Sequence, residues 1–355
     1  MPVAHLNCSS SGNTNPAPVS IGAGFLALDL LLIGGNRVRA NERYAGGSCG
    51  NVLSILAHLE WKSYPVARLG RDRLAQTVLD DLKRSGVNTT FVFRSSSGTT
   101  PVVVVRIAKR RDGTIGPRFE WKHPESGEWL PRYRPFPKKK AEELTPELPQ
   151  ASVFYFDRAE RSALLMASAM RQKGAVVFFE PSSCKHDDLF TECLAVSDIV
   201  KYSEDRISQI PRNPVSKSPR LEIQTLGSHG LRYRLKTIST KSGEWRTIPA
   251  FAVKEFADST GCGDWCSAGI IHMLCQKGRE AFLQMDEAAI VNSLAYGQAL
   301  AAVNCQYQGA RGPMYHLTPD EFAKKVGIVL HAASVSATNF SKPFPVEAVH
   351  CRSRK

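Results

Sequence analysis

From Val153 onward, short apolar runs of strand length alternate with stretches of helical spacing, and no other feature restricts the fold as much. Val153–Phe156 reads as a strand, 159–173 as a helix, Val176–Phe179 as a strand, 187–195 as a helix and Asp198–Lys201 as a strand. Leu221–Thr225 and Leu231–Leu235 follow as a strand pair, then a glycine-rich turn opening a helix, then a second helix from about 286 to 304. Parallel strands need helix-length crossovers, and those crossovers cover both sheet faces. The pattern predicts an α/β fold: a mostly parallel central sheet flanked by helices on both faces.

The N-terminal half is less regular. Val19–Ile33 reads as one buried strand interrupted by Gly22 and Gly24, residues 36–45 as an exposed strand, and Gly46-Gly47 as a break. Asn51–Leu59 has helical spacing, Tyr64–Leu69 is strand-like, and Arg73–Ser85 is an amphipathic helix ended by Gly86. Strands near 36–45 and 91–107 fit poorly in a sheet covered on both sides. They are expected to form a small β lid over the strand ends, where open α/β sheets bind ligands. Residues 1–18, rich in Ser, Asn and Pro, are expected to be disordered, 19–340 to be the folded domain, and 341–355 a flexible tail.

No run of 18 apolar residues suggests a membrane span, and Met1–Ser20 lacks the pattern of a secretory leader. Nine scattered cysteines suit a reducing cytoplasm better than a disulfide framework. The net charge of +13 is partly local: residues 109–140 hold ten Lys and Arg against four Asp and Glu, within a Pro- and Gly-rich insertion spanning 108–143. Such a stretch either attracts an anion or is a solvated basic insertion.

Residues 258–264 read Asp258-Ser259-Thr260-Gly261-Cys262-Gly263-Asp264, and a mostly apolar run, Ala268–Leu274, follows almost at once. This spacing predicts a tight turn opening a helix, its free N–H groups and dipole facing an anion. Asp264 would stand in the first helical turn beside that anion. An anion cradle next to a fixed carboxylate is what phosphoryl transfer to a hydroxyl requires. Cys262 would act through its N–H, since no adjacent histidine activates its thiol. Cys262 and Cys266 lack the further Cys or His ligands that zinc needs.

A second signature, Gly46-Gly47-Ser48-Cys49-Gly50-Asn51 with Arg68-Leu69-Gly70-Arg71-Asp72 downstream, precedes the first. Together they resemble the ribokinase-like carbohydrate kinases of the PfkB family over about residues 19–328, the later one being close to that family's Asp-Thr-x-Gly-Ala-Gly-Asp. Thr225-Leu226-Gly227-Ser228-His229-Gly230 is similar to the family's nucleotide-side loop, and Gly309-Ala310 to its usual ending. The resemblance implies a ribokinase-like fold and phosphorylation, by ATP with Mg2+, of a hydroxymethyl group on a sugar or nucleoside. It assigns Asp264 as the base and Gly261, Cys262 and Gly263 as the anion hole. Asp29 matches the acid that grips substrate hydroxyls, and Gly46, Gly47 and Asn51 lie on the substrate side. Thr225, Gly227 and Gly230 would face the nucleotide, although a plain hairpin turn explains them equally well. Relatives often pair lid strands between subunits, which implies a homodimer; neither a membrane nor a nucleic acid is an expected partner.

The family's Asn-x-x-Glu motif is altered. Ser203 and Arg206 occupy its ends in one alignment, Lys201 and Glu204 in another; Glu204 or Asp205 is the metal-side candidate, by way of a metal-bound water, and the ligand set stays open. Glu180-Pro181-Ser182-Ser183-Cys184 stands where some relatives carry Asp-x-Asn-x-Arg, which disfavours a keto-acid sugar. Lys138–Lys140 would supply an anion contact from the lid. Two other classes compete. Gly22-Ala23-Gly24-Phe25-Leu26-Ala27 with Glu42 downstream fits the fingerprint of an NAD-dependent oxidoreductase. The basic insertion with interleaved aromatics and the altered motif suit a catalytically silent relative that binds a metabolite or nucleic acid; the intact glycine turn and Asp264 oppose it.

Overall fold

The structure, a computed structural model, describes residues 16–33, 43–109, 115–184, 187–211, 219–236 and 243–336. The first fifteen residues, most of the 36–45 strand, Glu42 and the C-terminal tail lie outside them. In chain order the strands are β1 (Val19–Ala23), β2 (Ala27–Ile33), β3 (Arg43–Gly46), β4 (Lys62–Gly70), β5 (Val92–Ser95), β6 (Val102–Lys109), β7 (Ile115–Glu120), β8 (Val153–Phe156), β9 (Val176–Phe179), β10 (Ile199–Ser203), β11 (Leu221–Thr225), β12 (Leu231–Leu235) and β13 (Arg246–Ile248). The helices are α1 (Ser48–His58), α2 (Arg73–Arg84), α3 (Lys138–Leu144), α4 (Arg161–Gln172), α5 (Asp188–Val196), α6 (Cys262–Leu274), α7 (Gly278–Gln284), α8 (Glu287–Asn304), α9 (Gly312–His316) and α10 (Pro319–Ser336).

A large sheet runs β13-β12-β11-β10-β9-β8-β1-β4-β5, parallel from β5 to β11 and antiparallel only at β12 and β13. Successive side chains of a strand face opposite ways. On β8, Tyr155 therefore joins the core under α1, α6, α8 and α10, while Phe154 and Phe156 join the one under α3, α4 and α5. Both faces are covered, so all four residues of β8 are buried without the alternation of a half-exposed strand.

A second sheet, β3-β2-β6-β7, stands apart from the first. Here the structure corrects the reading of 19–33 as one strand: β1 belongs to the large sheet and β2 to the small one. The chain crosses at Gly24, where a Cβ would land 1.9 Å from an Asp157 carboxylate oxygen. The dinucleotide fingerprint therefore falls on two strands and a crossover, with no helix N-terminus to receive a pyrophosphate. The 91–107 segment also divides, β5 extending the large sheet and β6 the small one.

The basic stretch is structural along much of its length. It supplies β7, where Arg106 forks onto Glu120 at 3.0 and 3.1 Å. Tyr133 meets Phe25 edge-on at 5.5 Å, and Trp121 lies 6.4 Å from the same ring. Lys138–Lys140 open α3, which buries Ala141 beside α4, and Lys138 and Lys140 pair with Glu142 and Glu143.

Candidate active site

Gly261 takes a left-handed conformation, φ 75°, immediately before α6. A Cβ there would be both strained and 2.3 Å from the Ala310 carbonyl oxygen, so the turn requires glycine. Asp258 builds the turn from below. Its carboxylate accepts from Thr260 N and Oγ1 (3.0 and 2.8 Å) and from Gly309 N (3.0 Å), which joins the turn to the Gly309-Ala310 pair. The Cys262 amide makes a long 3.2 Å bond back to Ser259 O. The amides of Gly261, Gly263 and Asp264 have no acceptor among the described residues. Three amides at the start of α6 are thus open, Gly261 N and Gly263 N of the expected set and, beside them, Asp264 N, while Cys262 N is already engaged within the turn.

The Gly263 peptide is held from behind. Its carbonyl accepts from Lys201 Nζ at 3.1 Å and from Ser267 Oγ at 3.0 Å. In a trans peptide C=O and N–H point opposite ways, so pinning this carbonyl inward aims the Asp264 N–H outward. Glu180 completes the support, accepting from Lys201 Nζ and Ser267 Oγ, both at 2.6 Å, and from Tyr155 OH at 3.1 Å. Lys201 is buried, and Glu180 balances its charge.

Asp264 lies in the first turn of α6, and its carboxylate accepts from Asn51 Nδ2 at 2.8 Å. Burial raises its carboxyl to about 7; Glu180 adds to the shift, while Asn51, Lys201 and Arg206 oppose it. Asn51 is not a cap but a residue within α1, and its buried Oδ1 has no hydrogen-bond partner among the described residues. Asp29, on β2, is also raised to about 7 by burial, against the pull of Arg311 and the Gly47 amide. Gly46 is needed because a Cβ would sit 2.0 Å from the Asp29 carboxylate, and Gly47 because its φ is 79°. A cleft of about 130 Å³ lies between Asp29, Tyr44, Val105, Thr260, Gly309 and Arg311. It joins the small sheet to the glycine turn.

Two anchoring residues went unread in the sequence, and a third was read only as one end of the altered Asn-x-x-Glu motif. Asp157, just after β8, accepts from Phe25 N at 2.9 Å and Cys49 N at 3.1 Å. Arg311 is buried and donates to Ala45 O (2.7 Å), Ser54 Oγ (2.9 Å) and Asp81. Lys201 is the third. Each is a charge among apolar neighbours in sequence, the one signal that marks a buried, paired group.

Thr225 ends β11, and Gly227–His229 form a single 3-10 turn before antiparallel β12. Glu204 N donates to Thr225 O at 3.0 Å, so both residues sit at the carboxyl edge of the sheet, as Glu180 does at the end of β9. The Glu204 side chain is exposed, and no cluster of three His, Cys, Asp or Glu occurs among the described residues. That fits a Mg2+ held chiefly by nucleotide and water.

A family profile described as pfkB family carbohydrate kinase matches residues 32–316. Probable fructokinase-5 of Arabidopsis thaliana is 24% identical over 291 residues, covering 75% of this chain and 83% of that protein. The fructokinase with bound ATP from Xylella fastidiosa superposes with a TM-score of 0.65 at 18% identity, covering 89% of this chain and 99% of that one. Aminoimidazole riboside kinase from Salmonella enterica, complexed with aminoimidazole riboside and an ATP analogue, gives a TM-score of 0.62 at 19% identity over 87% and 99% of the two chains.

Proposed function

Because the chain belongs to the pfkB family of carbohydrate kinases, we propose that its acceptor, a sugar or sugar-like molecule with a hydroxymethyl group, binds between Asp29, Asn51 and the small sheet. The fold is ribokinase-like, and the enzyme is a phosphotransferase that uses ATP with Mg2+ on a sugar hydroxyl. In this reading Asp264 is the base. One observation carries it: the Asp264 carboxylate, fixed by Asn51 at 2.8 Å, stands at a helix start whose nearby amides are open.

Asp29 accepts hydrogen bonds from acceptor hydroxyls and Asn51 Oδ1 receives another, which orients the reacting group toward Asp264. Asp264 takes the proton as the hydroxyl attacks. The amides of Gly261, Gly263 and Asp264 hold the migrating phosphoryl group, each such donor being worth roughly 3–4 kcal/mol of barrier. Glu204 would hold a water of the Mg2+ that comes with the nucleotide, and that ion would supply charge neutralisation. Thr225, Gly227 and Gly230 form the nucleotide-side loop. The small sheet is the lid, excluding water when acceptor binds. Its edge strands, β3 and β7, are the surfaces through which two subunits would pair. The cytoplasm suits the free cysteines, and no described helix is long and apolar enough to cross a membrane.

A coupled assay with MgATP over pentoses, hexoses, keto-acid sugars and nucleosides tests this reading. Turnover is expected with one sugar class. ATP that stabilises the protein against heat without turnover of any acceptor would instead favour the silent relative.

A further inference from the structure

Cys262 lies in the anion turn and Cys305 caps the end of α8, and their sulfurs stand 3.0 Å apart. That is closer than two unbonded sulfurs normally approach. Both residues are partly exposed, whereas Cys49, Cys193, Cys266 and Cys275 are buried. Backbone bonds hold the two segments together: Ala257 N and Asp258 N both donate to Cys305 O, at 2.8 and 3.3 Å. Asn304 reaches across as well, its Nδ2 lying 2.8 Å from Thr260 O and 3.5 Å from Cys262 Sγ. Sharing one proton between the sulfurs holds the Cys305 thiol below its ordinary range and pushes Cys262 up.

We propose that Cys262 and Cys305 form a site of reversible oxidation by a low-molecular-weight disulfide of the glutathione type, and that the resulting bond disables the anion hole. The Cys305 thiolate attacks one sulfur of the oxidant and expels the first small thiol. Cys262, losing its proton, then attacks the Cys305 sulfur and expels the second. The protein gives up two protons and two electrons, and the oxidant becomes two thiols. A disulfide of about 2.0 Å draws Cys262 toward α8 by about 1 Å. Gly261 cannot yield, because it already packs on the Ala310 carbonyl. The displacement therefore falls on the Cys262–Gly263 peptide, and with it on the Gly263 N–H, one of the three open amides.

The inhibitory half of this proposal rests on the kinase reading; the disulfide itself does not. The full chain is incubated at graded ratios of oxidised to reduced glutathione, then divided between non-reducing peptide mapping and phosphotransfer assay. The expected result is a Cys262–Cys305 link that forms in step with at least a tenfold loss of activity, both reversed by dithiothreitol. Cys305→Ser is expected to keep its activity through the same treatment. The proposal is overturned if no such link forms, if it forms with activity unchanged, or if Cys305→Ser is inactivated equally. Should the reduced protein phosphorylate no acceptor, the kinase reading fails on its own, and the peptide map together with the ATP-induced rise in Tm before and after oxidation still decides the pair.

Discussion

Burial raises the carboxyls of Asp264 and Asp29 to about 7, with Glu180 adding to the first and Asp264 to the second. A base with that pKa loses its function as the medium acidifies. The kcat/KM is expected to fall about tenfold per pH unit below about pH 7, or more steeply if both groups must be ionised. Stability carries the opposite sign. A folded-state pKa above the unfolded one means that the folded chain holds the extra proton, so unfolding free energy declines as pH rises from about 4 to about 7 and then levels off. Asp264→Asn is expected to lower kcat by about a thousandfold while ATP affinity, by calorimetry, stays within a few-fold. Its Tm advantage over the parent should grow from pH 4 to pH 8. Gly46→Ala would drive a methyl group into Asp29, raising the acceptor KM at least tenfold with the KM for ATP little changed. Asp264, Gly46 and Gly47 were legible because each belongs to a contiguous motif whose backbone needs show in the residues themselves. Asp157 and Arg311 were not, since the groups that explain them lie 132 and 230 positions away.

At the level of elements, β10 does more than extend the sheet. Lys201 reaches from it to the Gly263 carbonyl at the start of α6, and Glu180 on the neighbouring strand's end keeps that lysine charged. Lys201→Met alone leaves the half-buried Glu180 without its counter-ion, so the informative comparison adds Lys201→Met/Glu180→Gln. The double variant is expected to melt near the parent yet lose roughly ten- to a hundredfold in kcat, with acceptor KM within about threefold, because one anion-hole amide loses its aim. Strands β8, β9, β11 and β12 coincide with the sequence reading, the first two as short apolar runs and the last two as alternations of apolar and polar residues. The crossing between β1 and β2 escaped it because both strands are apolar and period alone cannot tell which sheet a buried strand joins. The same limit hid the division of β5 from β6.

Across the whole molecule, Arg311 ties the C-terminal segment to α1, α2 and β3 through Ser54, Asp81 and Ala45. Removing one partner of a buried ion pair strands the other's charge, at a cost of about 3–5 kcal/mol. Arg311→Met should therefore lower Tm by about 10 °C in a thermal melt, and Asp81→Asn/Arg311→Met should recover part of that loss. The α/β class was legible from the alternation after Val153, and so was the expectation of a small β lid over the strand ends; which strands build the second sheet was not, since β3-β2-β6-β7 depends on pairings between distant strands. Asp157 gives that arrangement a mechanical consequence. One carboxylate takes the amides of Phe25, where the chain leaves β1 for β2, and of Cys49, where it returns from β3 into α1. Two entries to the small sheet thus share a single carboxylate, and loss of Asp157 would free both ends of that sheet at once.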